Sequence, residues 1–156
     1  MTDYDLLAKQ LEALISDTGW EISILANASA LIWDALDNIN WAGFYLMRNG
    51  SLELGPFQGK VACVTIGAGK GVCGAAAVQD RTQLVPDVHS FPGHIACDSA
   101  SNSEIVIPLH AAGKIYGVLD IDSPLFSRFD ETDRDGLETL AEVIEKRLDA
   151  ILQDQA

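Results

Sequence analysis

The dipeptide Asn49-Gly50 constrains the fold of this chain more than any other feature of the sequence. It separates two stretches, 41–47 and 51–57, whose residues favour β-strands, and Asn-Gly is the preferred dipeptide of a two-residue hairpin turn. Strands joined by so short a turn run antiparallel. Further strands are predicted at 62–66, 83–85, 104–109 and 115–123, with a turn at 112–114 between the last two. The sequence therefore predicts an antiparallel sheet.

Apolar residues at helical spacing lie on both sides of the predicted strands. They predict two helices before the hairpin, a short helix at 71–79, and a long final helix whose N-terminus is capped by Asp130 and Asp133. The apolar stripes of the first, second and last helices are Leu7, Leu11, Leu14 and Ile15; Leu25, Ala28, Leu31, Ile32 and Leu36; and Leu137, Leu140, Ile144, Leu148 and Ile151. The predicted fold class is α+β. Because 156 residues carry no linker or repeat, one domain is predicted over 1–156.

The charge of the chain argues against several classes of partner. It has 10 Lys and Arg against 23 Asp and Glu, a formal net charge of −13. Nucleic acids and anionic membrane surfaces are bound mainly through basic side chains, so we expect neither as a partner. The N-terminal residues show no basic-then-apolar run, and no apolar run reaches 18 residues. We expect a cytoplasmic protein whose three cysteines are free thiols of a reducing compartment.

Side chains that alternate along the predicted strands define two faces of the sheet. In the last strand, one face holds Ile115, Leu119 and Ile121, and the other holds Tyr116, Val118, Asp120 and Asp122. The same alternation places Trp41, Tyr45 and Glu104 beside the two aspartates. Acidic side chains on a mostly apolar surface cost free energy unless they are solvated, hydrogen-bonded or paired. This second face is therefore predicted to be either a ligand site or a solvated outer face.

Two segments contain short motifs with more than one interpretation. The run 69–74 fits the pattern G-x-G-x-x-G, but a dinucleotide site needs a parallel βαβ unit, which this chain does not predict. The irregular segment 86–103 is long for a compact domain and contains His89, His94 and Cys97. These three side chains match no standard zinc spacing, so we expect no metal and no cofactor.

Several long strings of the sequence are more distinctive than its short motifs. They are NWAGFYL (40–46), LGPFQGKVACV (54–64), GKGVCG (69–74), LVPDVHSFPGHIACDSASNSEIVIPL (84–109) and GVLDIDSP (117–124). The string at 84–109, with its Pro-Gly-His-Ile-Ala-Cys-Asp-Ser centre, is far more specific than any short motif. Together these strings closely resemble the GAF-domain free methionine-(R)-sulfoxide reductases. The resemblance is weakest at 65–68 and in both terminal helices.

The resemblance implies a GAF-like six-stranded antiparallel sheet with the N- and C-terminal helices on one face and a ligand pocket on the other. It also implies that Cys97 is the catalytic cysteine, that Cys63 is its disulfide partner, and that thioredoxin is the reductant of the enzyme. The pocket residues that it implies are Trp41, Tyr45, Glu104, Asp120 and Asp122. By the same analogy we expect a homodimer.

The chemistry of these residue types suits the reduction of a sulfoxide. The reaction needs a soft nucleophile at sulfur, which Cys97 supplies, and a proton donor at oxygen, for which Glu104 is the preferred candidate. Asp120 and Asp122 are candidates to hold the ammonium group of free methionine sulfoxide. Trp41 and Tyr45 are candidates to enclose the S-methyl end.

Two residues keep open roles at this point. His94 lies three residues before Cys97 and either assists its ionisation or packs in the loop. Cys73 is read as a small packing residue, with a redox role as the alternative. Two other functions also stay open, a GAF-type sensor of a small molecule or redox signal and a thiol peroxidase that uses Cys97 alone.

Overall fold

The computed structural model describes residues 1–95, 97 and 99–153. Its helices are α1 (Tyr4–Ile15), α2 (Glu21–Ala35), α3 (Gly71–Gln79) and α4 (Glu131–Gln153), with a 3-10 turn at Val88–Ser90. Its strands are β1 (Trp41–Arg48), β2 (Ser51–Gly59), β3 (Thr65–Gly67), β4 (Gln83–Val85), β5 (Ser103–Ala111) and β6 (Lys114–Ser123). Within the described residues, these elements form one sheet with helices on both of its faces.

The sheet has six strands in the order β3-β2-β1-β6-β5-β4, and every neighbouring pair is antiparallel. The hairpin at Asn49-Gly50 joins β1 to β2, and both of its residues have positive φ angles, 51° and 81°. The pairing of β1 with β6 brings the first long strand beside the last one. The predicted α+β class and the six-stranded antiparallel sheet are confirmed.

The helices α1, α2 and α4 cover one face of the sheet, where they bury Phe44, Ile105, Leu119 and Ile121 among their own apolar side chains. The predicted cap of α4 is confirmed, because the Asp133 amide donates to Asp130 Oδ1 and the Asp130 amide donates to Asp133 Oδ2, both at 3.0 Å. The short helix α3 packs on the opposite face. In the described part of the chain, no helix is long and apolar enough to span a membrane.

The predicted strand at 62–66 is wrong in its bounds, since β3 covers only Thr65–Gly67. Side chains of β1 hold the preceding backbone instead of a strand ladder. Trp41 Nε1 donates to the Lys60 carbonyl at 3.1 Å, and the Tyr45 hydroxyl donates to the Cys63 carbonyl at 2.9 Å. Cys63 therefore lies in an irregular connection rather than on a strand.

The predicted faces of Ile115 and Tyr116 are exchanged in the structure. Leu109 pairs with Gly117 while His110 pairs with Ile115, so Tyr116 is an extra residue that forms a β-bulge in β6. The bulge turns Tyr116 toward the helical core, where its hydroxyl donates to Glu21 Oε2, and turns Ile115 toward the other face. Alternation resumes beyond the bulge, so Asp120 and Asp122 keep their predicted face.

Candidate active site

The predicted site residues lie in rows across the three central strands. Trp41 pairs with Asp122, which in turn pairs with Glu104, so one row crosses β1, β6 and β5. In the next row Asp120 lies between Gly43 and Val106. Tyr45 follows two residues beyond Gly43 on the same face. Antiparallel register thus brings together side chains that are up to 81 positions apart in the chain, as from Trp41 to Asp122.

A cavity lies over these rows, between the sheet, the start of α3 and two irregular segments. The segment at 61–62 and the residues His94, Ile95, Cys97 and Ser101 complete its wall. Eight of the nine residues proposed from the sequence line the cavity, Cys97 among them, and the other seven are Trp41, Tyr45, Cys73, His94, Glu104, Asp120 and Asp122. Cys97 is joined to Cys63. The structure therefore brings all nine residues to one region.

The three carboxyl groups of the site are withdrawn from water. Glu104 is 7% exposed and Asp120 is 5% exposed. Burial raises the pKa of Glu104 and of Asp122 well above the ordinary carboxyl range, and their acidic neighbours raise each of them further. Burial also raises the pKa of Asp120, although its contacts with Glu104 and Asp122 partly offset the rise. The cluster thus favours retaining protons, and Asp120 is its most readily ionised member.

Two oxygen atoms of this cluster stand without a hydrogen bond. Among the described residues, neither Asp120 Oδ1 nor Asp122 Oδ1 has a partner, and both atoms are buried. A buried acceptor without a donor costs free energy. An arrangement of this kind suits a ligand that brings N–H donors or a positive charge into the cavity.

Cys63 and Cys97 form a disulfide at the edge of the cavity, with a Cα–Cα separation of 5.5 Å across 34 residues of sequence. Both residues are half-buried. The expectation of three free thiols is therefore wrong for this state of the protein, since Cys73 alone is free. Trp41 and Tyr45 help to fix the backbone next to Cys63. Their rings stack with centroids 5.8 Å apart, and their hydrogen bonds to the Lys60 and Cys63 carbonyls hold the chain on either side of residues 61–62.

Cys73 lies on α3, where it lines the cavity, and is only 4% exposed. It packs with apolar residues of the second face, as the packing interpretation expects. Burial raises the pKa of its thiol well above the ordinary value, and the charges of Asp120 and Glu104 raise it further. The thiol is therefore protonated at neutral pH.

His94 lines the cavity with its ring 6.4 Å from the ring of His89. Burial lowers the pKa of His94, and the charge of His89 lowers it further, so the imidazole is neutral at neutral pH. It is not a fixed cation beside Cys97. Among the described residues, His89, His94 and Cys97 do not form a group whose ligand atoms lie close enough to share a metal ion, and in this state the Cys97 sulfur is in a disulfide.

The glycines at 69–74 have a structural explanation. Gly69 and Gly71 have positive φ angles at the turn into α3. A Cβ at Gly74 would lie 2.9 Å from the Gly69 backbone, so the close approach of helix and turn requires glycine there. The preceding strand, β3, is antiparallel to β2. The dinucleotide-binding interpretation is therefore wrong.

Sequence reasoning missed several residues of the cavity wall, among them Ser101, Lys70 and Ile95. Ser101 is buried and accepts from Asn40 Nδ2 at 3.1 Å, and Lys70 and Ile95 complete the rim. All three lie in strings that carried the resemblance, but serine, lysine and isoleucine have no chemistry that stands out without the tertiary structure.

A six-stranded antiparallel sheet with terminal helices on one face and a small cavity on the other is the architecture of a ligand-binding α+β domain. The chain belongs to the GAF domain family, whose model matches residues 10–148.

Several similar proteins are named as free methionine-R-sulfoxide reductases. The chain is 52% identical over 145 residues to the free methionine-R-sulfoxide reductase of Escherichia coli, covering 93% of this chain and 88% of that one. It is 55% identical to fRMsr of Staphylococcus aureus in complex with substrate, with a TM-score of 0.91 over 95% of this chain and 97% of that one. The free methionine-R-sulfoxide reductase of Neisseria meningitidis, in complex with its substrate, is 43% identical with a TM-score of 0.93, over 97% and 91% of the two chains.

Proposed function

We propose that this protein reduces the R-sulfoxide of free methionine to methionine. The observation that carries the proposal is the pairing of Cys97 with Cys63 at the edge of a cavity whose floor holds buried carboxyl groups. A disulfide is the product that a cysteine pair leaves after reducing a sulfoxide. The relatives described above support the same activity, since they carry this name at about half sequence identity over most of both chains.

In the first step the Cys97 thiolate attacks the sulfoxide sulfur. The S–O bond breaks as its oxygen is transferred to Cys97, which leaves methionine and a sulfenic acid on Cys97. The oxygen needs a proton or a strong hydrogen bond as negative charge develops on it. Glu104 is assigned to this role, because its raised pKa keeps a proton available at neutral pH.

Substrate recognition is assigned to four side chains of the cavity, those of Asp120, Asp122, Trp41 and Tyr45. The unpartnered oxygens of Asp120 and Asp122 suit the ammonium group of a free amino acid, which a residue within a peptide lacks. Trp41 and Tyr45 offer an apolar aromatic wall for the methyl and sulfur end. In this arrangement one epimer alone presents its oxygen to Glu104.

Recycling is assigned to Cys63. Its thiol displaces the oxygen of the Cys97 sulfenic acid as water and forms the disulfide, which a dithiol reductant such as thioredoxin then reduces by exchange. The Cα–Cα separation of 5.5 Å suits this bond. Cys73 is left out of the cycle, because its buried, protonated thiol is a poor nucleophile. A cytoplasmic location and a homodimer complete the proposal, and light scattering tests the second.

The decisive experiment mixes the protein with racemic methionine sulfoxide, thioredoxin, thioredoxin reductase and NADPH. We expect NADPH oxidation that stops when half of the racemate is consumed. A sensor without catalytic activity gives no NADPH loss, which would overturn the proposal. Consumption of the whole racemate at one rate would overturn the stereochemical part of it.

Cysteine variants separate the steps. Cys97→Ser should abolish even the first turnover. Cys63→Ser should release one methionine per site in a burst and then stop, with a trappable sulfenic acid on Cys97. Cys73→Ser is the matched control and should keep cycling. If Cys63→Ser cycles while Cys73→Ser stalls after one turnover, the resolving role belongs to Cys73.

Substrate analogues test the ammonium site. N-acetyl-methionine sulfoxide has no positive charge for Asp120 and Asp122, so its kcat/KM should fall by at least 10²-fold, on the order expected when a buried charged contact is lost. Equal turnover of the acetylated and free compounds would contradict the assignment.

A further inference from the structure

One sulfur and two carboxyl groups meet on the floor of the cavity, close enough to share one ion. Cys73 Sγ, a Glu104 carboxyl oxygen and an Asp120 carboxyl oxygen all lie within 4.8 Å of one another. All three residues are more than nine-tenths buried. They come from separate elements, α3, β5 and β6, so tertiary packing alone brings them together. The reductase cycle proposed above uses the two carboxyl groups and leaves the Cys73 thiol idle.

The unpartnered carboxylate oxygens point to a missing positive charge at this place. Asp120 is 95% buried, and among the described residues its Oδ1 atom has no hydrogen bond. The Oδ1 atom of Asp122 is also buried and, within the described part of the chain, without a hydrogen bond. Lys70 and His94 are the basic residues of the described cavity wall, and the Lys70 side chain is exposed at the rim while His94 is neutral.

The donor set selects among cations. A thiolate with carboxylates suits Zn²⁺ and Cd²⁺, whereas Mg²⁺ and Ca²⁺ take oxygen ligands. A tetrahedral zinc site has Zn–S bonds of about 2.3 Å and Zn–O bonds of about 2.0–2.2 Å, so its sulfur and oxygen ligands lie roughly 3.5 Å apart. The three ligand atoms lie within 4.8 Å of one another, so binding requires the side chains to move to this shorter spacing.

We propose that the cavity floor binds one thiophilic divalent cation through Cys73, Glu104 and Asp120, and that this ion excludes the substrate. Binding forms one metal–sulfur bond and two metal–oxygen bonds. The thiol proton and any proton on the two carboxyl groups leave to solvent, and no atom changes oxidation state. Because Asp120 and Glu104 serve both ligands, the ion would be a competitive inhibitor. The competition rests on the proposed function, and the metal site does not.

The oxidised protein gives a direct test of the site. The chain has three cysteines, and the Cys63–Cys97 disulfide leaves Cys73 as the one free thiol. Titration of the oxidised protein with Cd²⁺ should produce a thiolate-to-cadmium charge-transfer absorption that saturates at one ion per chain, with the same stoichiometry by calorimetry. Absence of saturable binding would overturn the proposal.

Variants locate the ion. Cys73→Ser should abolish the charge-transfer band and weaken Cd²⁺ binding at least tenfold, and Cys73→Ala should do the same. Asp120→Asn should also weaken binding at least tenfold while keeping the band at saturating Cd²⁺. Thermal melting monitored by circular dichroism shows which variants are folded, and one folded cysteine variant suffices. Binding that keeps its affinity without the Cys73 sulfur would overturn the proposal.

A matched control uses a surface histidine that has two acidic neighbours. His110 contacts Asp80 at 2.6 Å and Glu145 at 2.8 Å on the surface, without any sulfur. His110→Gln should leave the band and the affinity unchanged. If this variant instead loses Cd²⁺ binding, the ion sits at the surface cluster and the cavity site is wrong.

The final arm uses methionine sulfoxide as a competitor. Millimolar free methionine-R-sulfoxide should raise the apparent Kd for Cd²⁺ on the oxidised protein, and its N-acetyl derivative should not. Binding that depends on Cys73 but ignores the sulfoxide would overturn the inhibition and leave the metal site standing. Failure of the NADPH assay with intact Cd²⁺ binding would overturn the reductase proposal alone.

Discussion

Replacing Glu104 by glutamine keeps the shape of a buried side chain and removes its ability to ionise. Glu104 is 7% exposed, and burial with two acidic neighbours raises its pKa well above the usual carboxyl range. A neutral glutamine resembles the protonated carboxyl group and can donate a hydrogen bond to Asp120. We therefore expect Glu104→Gln to stabilise the folded protein while it abolishes most of the activity, a trade-off typical of active sites.

The size of the expected stability gain follows from the repulsion between neighbouring carboxylates and from the difference in proton binding between the folded and unfolded chain. A carboxyl oxygen of Glu104 and one of Asp120 lie within 4.8 Å of each other, and at this limiting separation two ionised carboxylates repel by about 3.5 kcal/mol at an effective dielectric constant of about 20. Above its ordinary pKa of about 4.3 the unfolded chain releases the Glu104 proton, whereas the folded chain retains it, so folding stability falls as pH rises from about 4.3 toward the raised folded pKa. The variant removes this loss. We expect it to gain about 1–3 kcal/mol at pH 7.5 and nothing below about pH 4.

Thermal unfolding at several pH values measures this effect. For a chain of this length the gain corresponds to roughly 2–12 °C in Tm at pH 7.5. In the reductase assay the kcat of Glu104→Gln should fall about 10²–10⁴-fold, the range for loss of a general acid, with a smaller change in KM. Glu12→Gln, on the exposed face of α1, is the control and should change neither quantity. A lower Tm at pH 7.5, or a gain that is equal at pH 4 and pH 7.5, would refute the reasoning.

Three further outcomes follow from individual contacts. Tyr45→Phe keeps the aromatic ring but loses the 2.9 Å hydrogen bond to the Cys63 carbonyl, which is worth about 0.5–1.5 kcal/mol. Rapid-quench kinetics should show that disulfide formation slows by up to about tenfold, while the first burst of methionine stays nearly unchanged. Gly43→Ala would place a Cβ 2.2 Å from the Phe57 Cβ and should lower the free energy of unfolding by at least about 1–3 kcal/mol in urea titrations; an unchanged midpoint would show that β2 yields freely. For His110, burial lowers the pKa but its bonds to Glu145 and Asp80 raise it more. The imidazolium therefore stabilises the fold fully below about pH 6.5 and loses this effect as pH rises through the raised pKa. His110→Gln should cost less than about 1 kcal/mol at pH 6, because the side chain is half exposed, and less still at pH 9.

Local sequence patterns determined the strands, the hairpin and the composition of the two faces. The alternation of side chains is a property of a single extended strand, so Asp120 and Asp122 could be assigned to one face without knowing which strand lies beside them. The hairpin followed from Asn49-Gly50, since positive φ angles are a local requirement of the turn. The cap of α4 by Asp130 and Asp133 is local for the same reason.

The limits of this reasoning appear where a neighbour overrides the pattern. Tyr116 was assigned to the wrong face because a bulge depends on the pairing of β5 with β6. Cys63 was wrongly assigned to a strand. Its segment is held by hydrogen bonds from the Trp41 and Tyr45 side chains of β1, and the local sequence of the segment gives no sign of them. The pairing of Cys63 with Cys97 came from the family resemblance alone, since loops 34 residues apart have no fixed distance in the sequence.

The tertiary structure alone determines the distances among the carboxyl groups and the Cys73 thiol of the cavity. The strand order places Glu104 beside Asp122 and next to Asp120, and the packing of α3 on this face brings the Cys73 sulfur within 4.8 Å of two of these carboxyl groups. The raised pKa values follow from that meeting, because burial and like charge act through space rather than along the chain. The sequence by itself determined which strand residues share one face of the sheet, whereas the distances among them, and hence their protonation and their capacity to share a cation, depend on register and helix packing that no local pattern encodes.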